Sequence, residues 1–155
     1  MKAKKGFTLV EILIVVVILG ILAAIVIPQF TDAATQANES RLKSDLQMLR
    51  SQIQLYKVQH SDALPGSDSS GDFVTAMTSY TDVQGAVQAA PAPGLYGKYM
   101  EALPTNPFNG LNTVTEGATD SGAAGDTGWF FNTTTGQVRP DDTKTSPDGV
   151  AHIAL

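Results

Sequence analysis

Gly6-Phe7-Thr8-Leu9-Val10-Glu11-Ile12-Leu13-Ile14-Val15-Val16-Val17-Ile18-Leu19-Gly20 opens a run that stays apolar to Ile27, interrupted only by Thr8 and Glu11. As helix, residues 7–27 span about 31 Å at about 1.5 Å each, which matches a hydrocarbon core of about 30 Å. Residues 12–19 are apolar on every side and carry no amphipathic stripe, the pattern of a helix buried in lipid or in a protein core. Lys2, Lys4 and Lys5 stand just before the run, and by the positive-inside rule they keep that end cytoplasmic. A secretory signal peptide shares the basic start, but its apolar stretch is about 7–15 residues and ends in a small-x-small cleavage site. A plain single-span anchor accounts for everything except Glu11.

Glu11 has two readings. Thr8-Leu9-Val10-Glu11 has the S/T-x-x-E spacing of a capping box, in which the two side chains satisfy the first free amides of the helix. Alternatively, the carboxylate finds a positive partner on another chain. A carboxylate left unpaired in lipid tends to take up a proton, so a permanent cation is the better match.

Working outward, Pro28 removes a backbone donor and crowds the preceding turn, and Gly20 is a second weak point, so both are expected kink positions. Helical spacing resumes beyond them. Leu42, Leu46, Leu49, Ile53 and Tyr56 step by four, three, four and three, which is one apolar face; Arg41, Lys43, Asp45, Arg50 and Gln52 fill the remainder. The expected helix runs to about His60, where Leu64-Pro65-Gly66 and a Ser/Asp/Gly cluster end it. Its first half is apolar all round and its second half is amphipathic.

Past the helix, Phe73, Val74, Met77 and Tyr80 form a short amphipathic segment. Residues 85–94 and 112–125 read as loops, and residues 96–103 hold one helical turn. Trp129-Phe130-Phe131-Asn132 and Gln137-Val138-Arg139, joined by Thr133-Thr134-Thr135-Gly136, read as a β-hairpin. Pro140 limits the second strand. The hairpin aromatics are expected to cover the stripe from Leu42 to Tyr56. The expected class is therefore α+β: a long N-terminal helix, transmembrane then amphipathic, packed on a small C-terminal antiparallel sheet.

Composition narrows function. The 155 residues carry a net charge of -5 and no cysteine. Without the three leading lysines, seven basic residues face 15 acidic ones, a net of -8. An acidic body does not neutralise phosphates, so no nucleic acid is expected. Disulfides, iron–sulfur clusters and thiolate metal sites are excluded. His60 and His152 are the only histidines, and neither stands in a recognisable nucleophile or His-Glu-x-x-His pattern. The expectation is no enzyme. Asp120, Asp126, Asp141, Asp142 and Asp148 lie in Gly-rich, loop-like sequence, where oxygen ligands suit calcium; solvated loop acids are the alternative.

The basic start, Gly6-Phe7-Thr8-Leu9-Val10-Glu11-Ile12-Leu13-Ile14, Gly20 and Pro28 together resemble the class III signal of type IV prepilins and type II secretion pseudopilins. The resemblance is close over about the first 30 residues. It implies cleavage between Gly6 and Phe7 by a prepilin peptidase, N-methylation of Phe7, and filament assembly through Glu11, paired with the terminal amine of a neighbouring subunit. Leu103-Pro104-Thr105-Asn106-Pro107-Phe108-Asn109-Gly110 is similar to the Leu-Pro-x-Asp-Pro-Trp-Gly loop of major, G-type pseudopilins, departing at Asn106, Phe108 and Asn109. Major pseudopilins bind calcium in a C-terminal loop, which makes Asp120, Asp126, Asp141 and Asp142 candidates here.

The resemblance implies a pilin-like fold with a basic leader over 1–6, a transmembrane and assembly helix over 7–30, and a periplasmic globular domain over 31–155. Implied partners are other copies of the chain in a filament, the peptidase, an inner-membrane assembly platform and minor pseudopilins. A type II secretion pseudopilus is the leading reading. A type IV pilin for adhesion, motility or DNA uptake is the runner-up, and a monomeric membrane-anchored enzyme or binding protein is the reading of another class.

Overall fold

The computed structural model describes residues 6–120, 122 and 124–155; most of the expected basic leader, with its three lysines, lies outside them. Helix α1, Leu9–Gln59, is continuous and passes through Pro28. One turn on, the Thr31 hydroxyl donates to the Ile27 carbonyl at 3.2 Å. The chain divides into two compact units, one ending at Ala37 and the other being Asn38–Leu155. In the first unit, every large apolar side chain of the helix from Leu9 to Phe30 is exposed. A helix with such a surface is stable only against lipid or other chains. The expected boundary at residue 30 falls in exposed helix, and burial starts at Glu39.

The second unit is built on the amphipathic part of α1. Leu42, Leu46, Leu49, Ile53 and Tyr56 are all buried, as their spacing implied, and Glu39 joins them. Each fully buried side chain of this size stabilises by about 1.5–3 kcal/mol. The opposing surface is Phe73, Met77, Tyr99, Leu103, Trp129, Phe131 and Val138. Arg50, on the flank of α1, donates to the carbonyls of Val138 at 3.2 Å and Leu155 at 2.8 Å.

Helix α2, Phe73–Thr78, is one short amphipathic segment with Asp72 as its N-cap. Asp72 accepts from the Thr75 amide at 2.9 Å, while Glu116 accepts from the Phe73 amide at 3.0 Å. Strands β1 (Tyr80–Thr81) and β2 (Val87–Gln88) pair antiparallel, so the expected loop over 85–94 holds a two-residue strand. Strands β4 (Trp129–Asn132) and β5 (Val138–Pro140) form the expected antiparallel hairpin. Gly136 turns it at a φ of +72°, and a Cβ there would stand 2.4 Å from Leu64 Cδ2. Pro140 closes β5 opposite Trp129.

Two further expectations need correction. Residues 112–125 are not all loop: β3, Val114–Gly117, pairs with β4 in parallel, so the sheet order is β3-β4-β5 and the sheet is mixed. Residues 96–103 hold no helical turn. Tyr96 bridges to Thr81 instead, and the amides of Tyr99 and Met100 both reach the Met77 carbonyl at 3.1 Å. A 3-10 turn, His152–Ala154, ends the described structure.

Candidate functional site

Two regions carry the candidate residues, one in each unit. At the N-terminus the capping box is formed. Glu11 Oε2 accepts from the Thr8 amide and the Thr8 hydroxyl, both at 2.8 Å, and the Glu11 amide donates back to the Thr8 hydroxyl at 3.3 Å. Both orphan amides are thereby satisfied within one chain. Gly6 and Gly20 meet nothing in the described structure: a Cβ at either would have no other atom within 4 Å. Their glycines are therefore not demanded by the packing of this chain.

The other region gathers around the Leu103–Gly110 segment and the residues after β5. Asn106 is fully buried. Its amide donates to the Gly128 carbonyl at 3.0 Å and to Asp142 Oδ2 at 2.8 Å, and its carbonyl accepts from the Phe108 amide at 2.9 Å. Asn109 works alongside, donating to the Thr127 carbonyl at 2.7 Å and accepting from the Leu111 amide at 3.0 Å. Gly128 is pinned under this segment, since a Cβ on it would stand 2.2 Å from the Leu111 carbonyl oxygen. Trp129 Nε1 donates to the Pro104 carbonyl at 2.8 Å.

Asp142 continues inward. Its Oδ1 lies 2.6 Å from His152 Nδ1, and His152 Nε2 lies 3.0 Å from Glu39 Oε1. The imidazole is fully buried between the two acids, with the Phe108 ring centroid 4.4 Å away. This chain of contacts joins α1, the Leu103–Gly110 segment and the 3-10 turn. It was not foreseen from sequence, because its members are polar residues on widely separated segments. It holds no nucleophile, and its burial keeps it from any substrate. His60 does meet a hydroxyl, Thr81 Oγ1 at 2.9 Å, but both residues are closed off from solvent.

The four calcium candidates do not converge. Asp120 and Asp141 both turn to Arg139, Asp142 turns to Asn106 and His152, and Asp126 is exposed. Among the described residues no three Asp, Glu or His side chains form a metal-binding group. A calcium ion requires six to eight oxygens, and these side chains as placed do not fit one.

Asp68, a half-buried acid, shows what a hydrogen-bonded carboxyl does for stability. Burial pushes its pKa up, but hydrogen bonds from Tyr56, at 2.5 Å, and from Ser70 outweigh it and hold the carboxyl below its ordinary range. Burial, and after it the same contact, push the Tyr56 phenol up. A carboxyl depressed on folding stabilises the fold fully above its unfolded pKa and loses that contribution as pH falls through the lower, folded value. The melting temperature should accordingly drop by several degrees between about pH 5 and about pH 2, and Asp68→Asn should flatten that slope. Thermal melts across that range test it; an unchanged slope in the variant would rule Asp68 out as the cause.

Comparison with known proteins now bears on both regions. Residues 1–27 match the family described as the prokaryotic N-terminal methylation motif. Over 109 residues the chain is 30% identical to type II secretion system core protein G of Klebsiella michiganensis, covering 70% of this chain and 71% of that one. The chain belongs to the core protein G family. It is also 31% identical over 109 residues to core protein G of Pseudomonas aeruginosa, which covers 69% of this chain and 70% of the relative. With core protein G of Dickeya chrysanthemi it shares 31% over 109 residues, and there it spans 65% of the relative's length. A fimbrial protein of Pseudomonas aeruginosa is 52% identical over 50 residues, 32% of each chain. No solved structure matches. Asn106, Phe108 and Asn109, where the sequence departs from the loop it resembles, each make a specific contact here, with Asp142, His152 and Thr127 respectively.

Proposed function

We propose that this chain is a structural subunit of a type II secretion pseudopilus. It is anchored in the inner membrane by α1, carries its second unit in the periplasm, and polymerises with copies of itself on an inner-membrane platform to drive protein export. Minor pseudopilins are the expected companions in the filament. The observation that carries the reading is the relation to core protein G over 109 residues, joined to the methylation motif over residues 1–27. The lipid-length apolar helix surface, exposed from Leu9 to Phe30, supports it, and so does the closed burial of both histidines, which favours a structural over a catalytic role. Deleting the chain should stop export of folded secreted proteins and leave surface pili intact. Lost pili with normal export would favour the type IV pilin reading, whose support is the 50-residue likeness to a fimbrial protein.

In this proposal a prepilin peptidase cuts between Gly6 and Phe7 and methylates the new amine of Phe7. Gly6 fits a demand made from outside the chain, since its own surroundings leave room for a side chain. Gly6→Leu should retain the leader with Lys2, Lys4 and Lys5, while the parent loses it completely. Intact mass of the membrane-extracted protein checks both. A parent chain starting at Met1, or beyond Ala24, would end the prepilin reading.

A further inference from the structure

Parallel pairing of β3 with β4 sets a mechanical problem. The chain must leave β3 at Gly117, return along the sheet and enter β4 at Trp129 in the same direction. Parallel strands are usually joined by a dozen or more residues, most often through a helix. Here the return is residues 118–128, and none of those described is helical. Polar contacts hold it, and those of its two acidic anchors gather around one side chain from β5.

Arg139 Nε donates to Asp120 Oδ2 at 2.8 Å and Nη2 to Asp120 Oδ1 at 2.5 Å, a two-pronged grip on the outgoing limb. Its Nη1 donates to the Pro140 carbonyl at 2.9 Å and lies 3.4 Å from Asp141 Oδ1. Asp141 in turn receives the incoming limb, accepting from the Thr127 hydroxyl at 2.9 Å and the Ala124 amide at 3.3 Å. The guanidinium carbon sits 4.5 Å from the centroid of Phe130, and the Arg139 side chain is 8% exposed. Every carboxylate oxygen of Asp120 and Asp141 thus has a donor, and one cation serves both acids. The guanidinium beside Asp120 holds that carboxyl below its ordinary range, helped by the Gly122 amide.

We propose that Arg139 is the resident cation of the return loop, standing where a divalent ion would otherwise neutralise Asp120 and Asp141, so that the loop is clasped without calcium. The fork geometry matches a carboxylate two bonds at a time, and a guanidinium keeps its charge at any physiological pH. A calcium ion entering here would have to displace donors that already occupy the oxygens it needs. The inference concerns this loop alone and stands whether or not the secretion reading holds.

The test is thermal melting of the full chain in detergent micelles, followed by the fluorescence of Trp129, the single tryptophan. Each protein is melted in EDTA and in millimolar calcium chloride. The parent should melt at the same temperature in both, within about 1 °C. Arg139→Gln should melt several degrees lower in EDTA and recover by about 3 °C or more in calcium, because two facing carboxylates are left without a cation. Asp120→Asn should also melt lower but show no recovery. Calcium raising the parent's melting temperature would overturn the proposal, as would an Arg139→Gln protein indifferent to calcium. Should Arg139→Gln not fold, Arg139→Lys, which keeps the charge and loses the fork, takes its place. A calcium-insensitive Arg139→Lys supports the proposal, and a calcium-sensitive one defeats it.

Discussion

Glu11→Gln enters the membrane and loses its leader as the parent does, yet forms no filament from mutant subunits alone. This outcome separates the two roles open to Glu11. In the single chain one oxygen of its carboxylate, Oε2, is held by Thr8, through the reciprocal bonds at the head of α1. Glutamine completes such a box nearly as well as glutamate does, so Glu11→Gln keeps the cap and removes only the charge. In the proposed filament, cleavage after Gly6 creates a cationic amine at Phe7, about one helical turn before Glu11. Staggering an incoming subunit by that turn sets its Glu11 level with the amine of the chain ahead. The surrounding apolar helices would exclude water from the pair. There, attraction needs both charges, and removing one strands the other. The concentration needed for assembly should rise by about two orders of magnitude or more. Glu11→Leu should behave the same way while favouring insertion, which removes poor membrane entry as an explanation. Cell fractionation with filament shearing reads the result. Parent-level filaments from Glu11→Gln would leave capping as the role of Glu11.

How much of this was legible in the sequence followed the range of the interactions. The apolar run to Ile27 and the stripe from Leu42 to Tyr56 are local periodicities, and both appear in α1 as read. The hairpin was equally visible, since β4 and β5 are neighbours across one glycine turn. Strand β3 was hidden. Val114-Thr115-Glu116-Gly117 has one strongly apolar residue among Gly- and Thr-rich neighbours, and its partner β4 is reached only through the return loop. Around Tyr96 the apolar residues suggested a helical turn, but the Met77 carbonyl and Thr81 bind those amides first. The acids were read as a set because they share a loop-like composition. Arg139 takes Asp120 and Asp141, His152 takes Asp142, Asp126 stays exposed, and nothing in their spacing announces that division. Glu39 and His152 stand 113 residues apart, a distance at which residue spacing carries no signal.

Asn106→Asp should be the most damaging single-atom change in the second unit, lowering the melting temperature by about 10 °C at neutral pH. The resembled loop pattern has aspartate at this position, so the substitution looks conservative by family and is not so in this chain. Asn106 has no exposure, and the Asp142 side chain is 2% exposed. The amide nitrogen that would become oxygen lies 2.8 Å from Asp142 Oδ2 and 3.0 Å from the Gly128 carbonyl. Two donated bonds would become two repulsive contacts, one of them between buried carboxylates. Leaving a buried charge uncompensated costs about 3–5 kcal/mol, and each kcal/mol shifts the melting temperature of a chain this size by about 2–4 °C. The pH dependence has a definite sign. Burial and the Asp142 charge would raise the pKa of the new acid above its unfolded value, so the protonated form, which can donate to Asp142, is favoured at low pH. The deficit relative to the parent should therefore shrink as pH falls and be complete above the raised value. Adding Asp142→Asn should restore a donor between the two positions and recover part of the loss. It would not recover all of it, because the Gly128 carbonyl still faces the new carboxyl in place of one of its two donors, keeping only the Asp141 amide at 3.0 Å. A melting temperature for Asn106→Asp within a degree or two of the parent at neutral pH would show that the contact with Asp142 does not hold this loop in place.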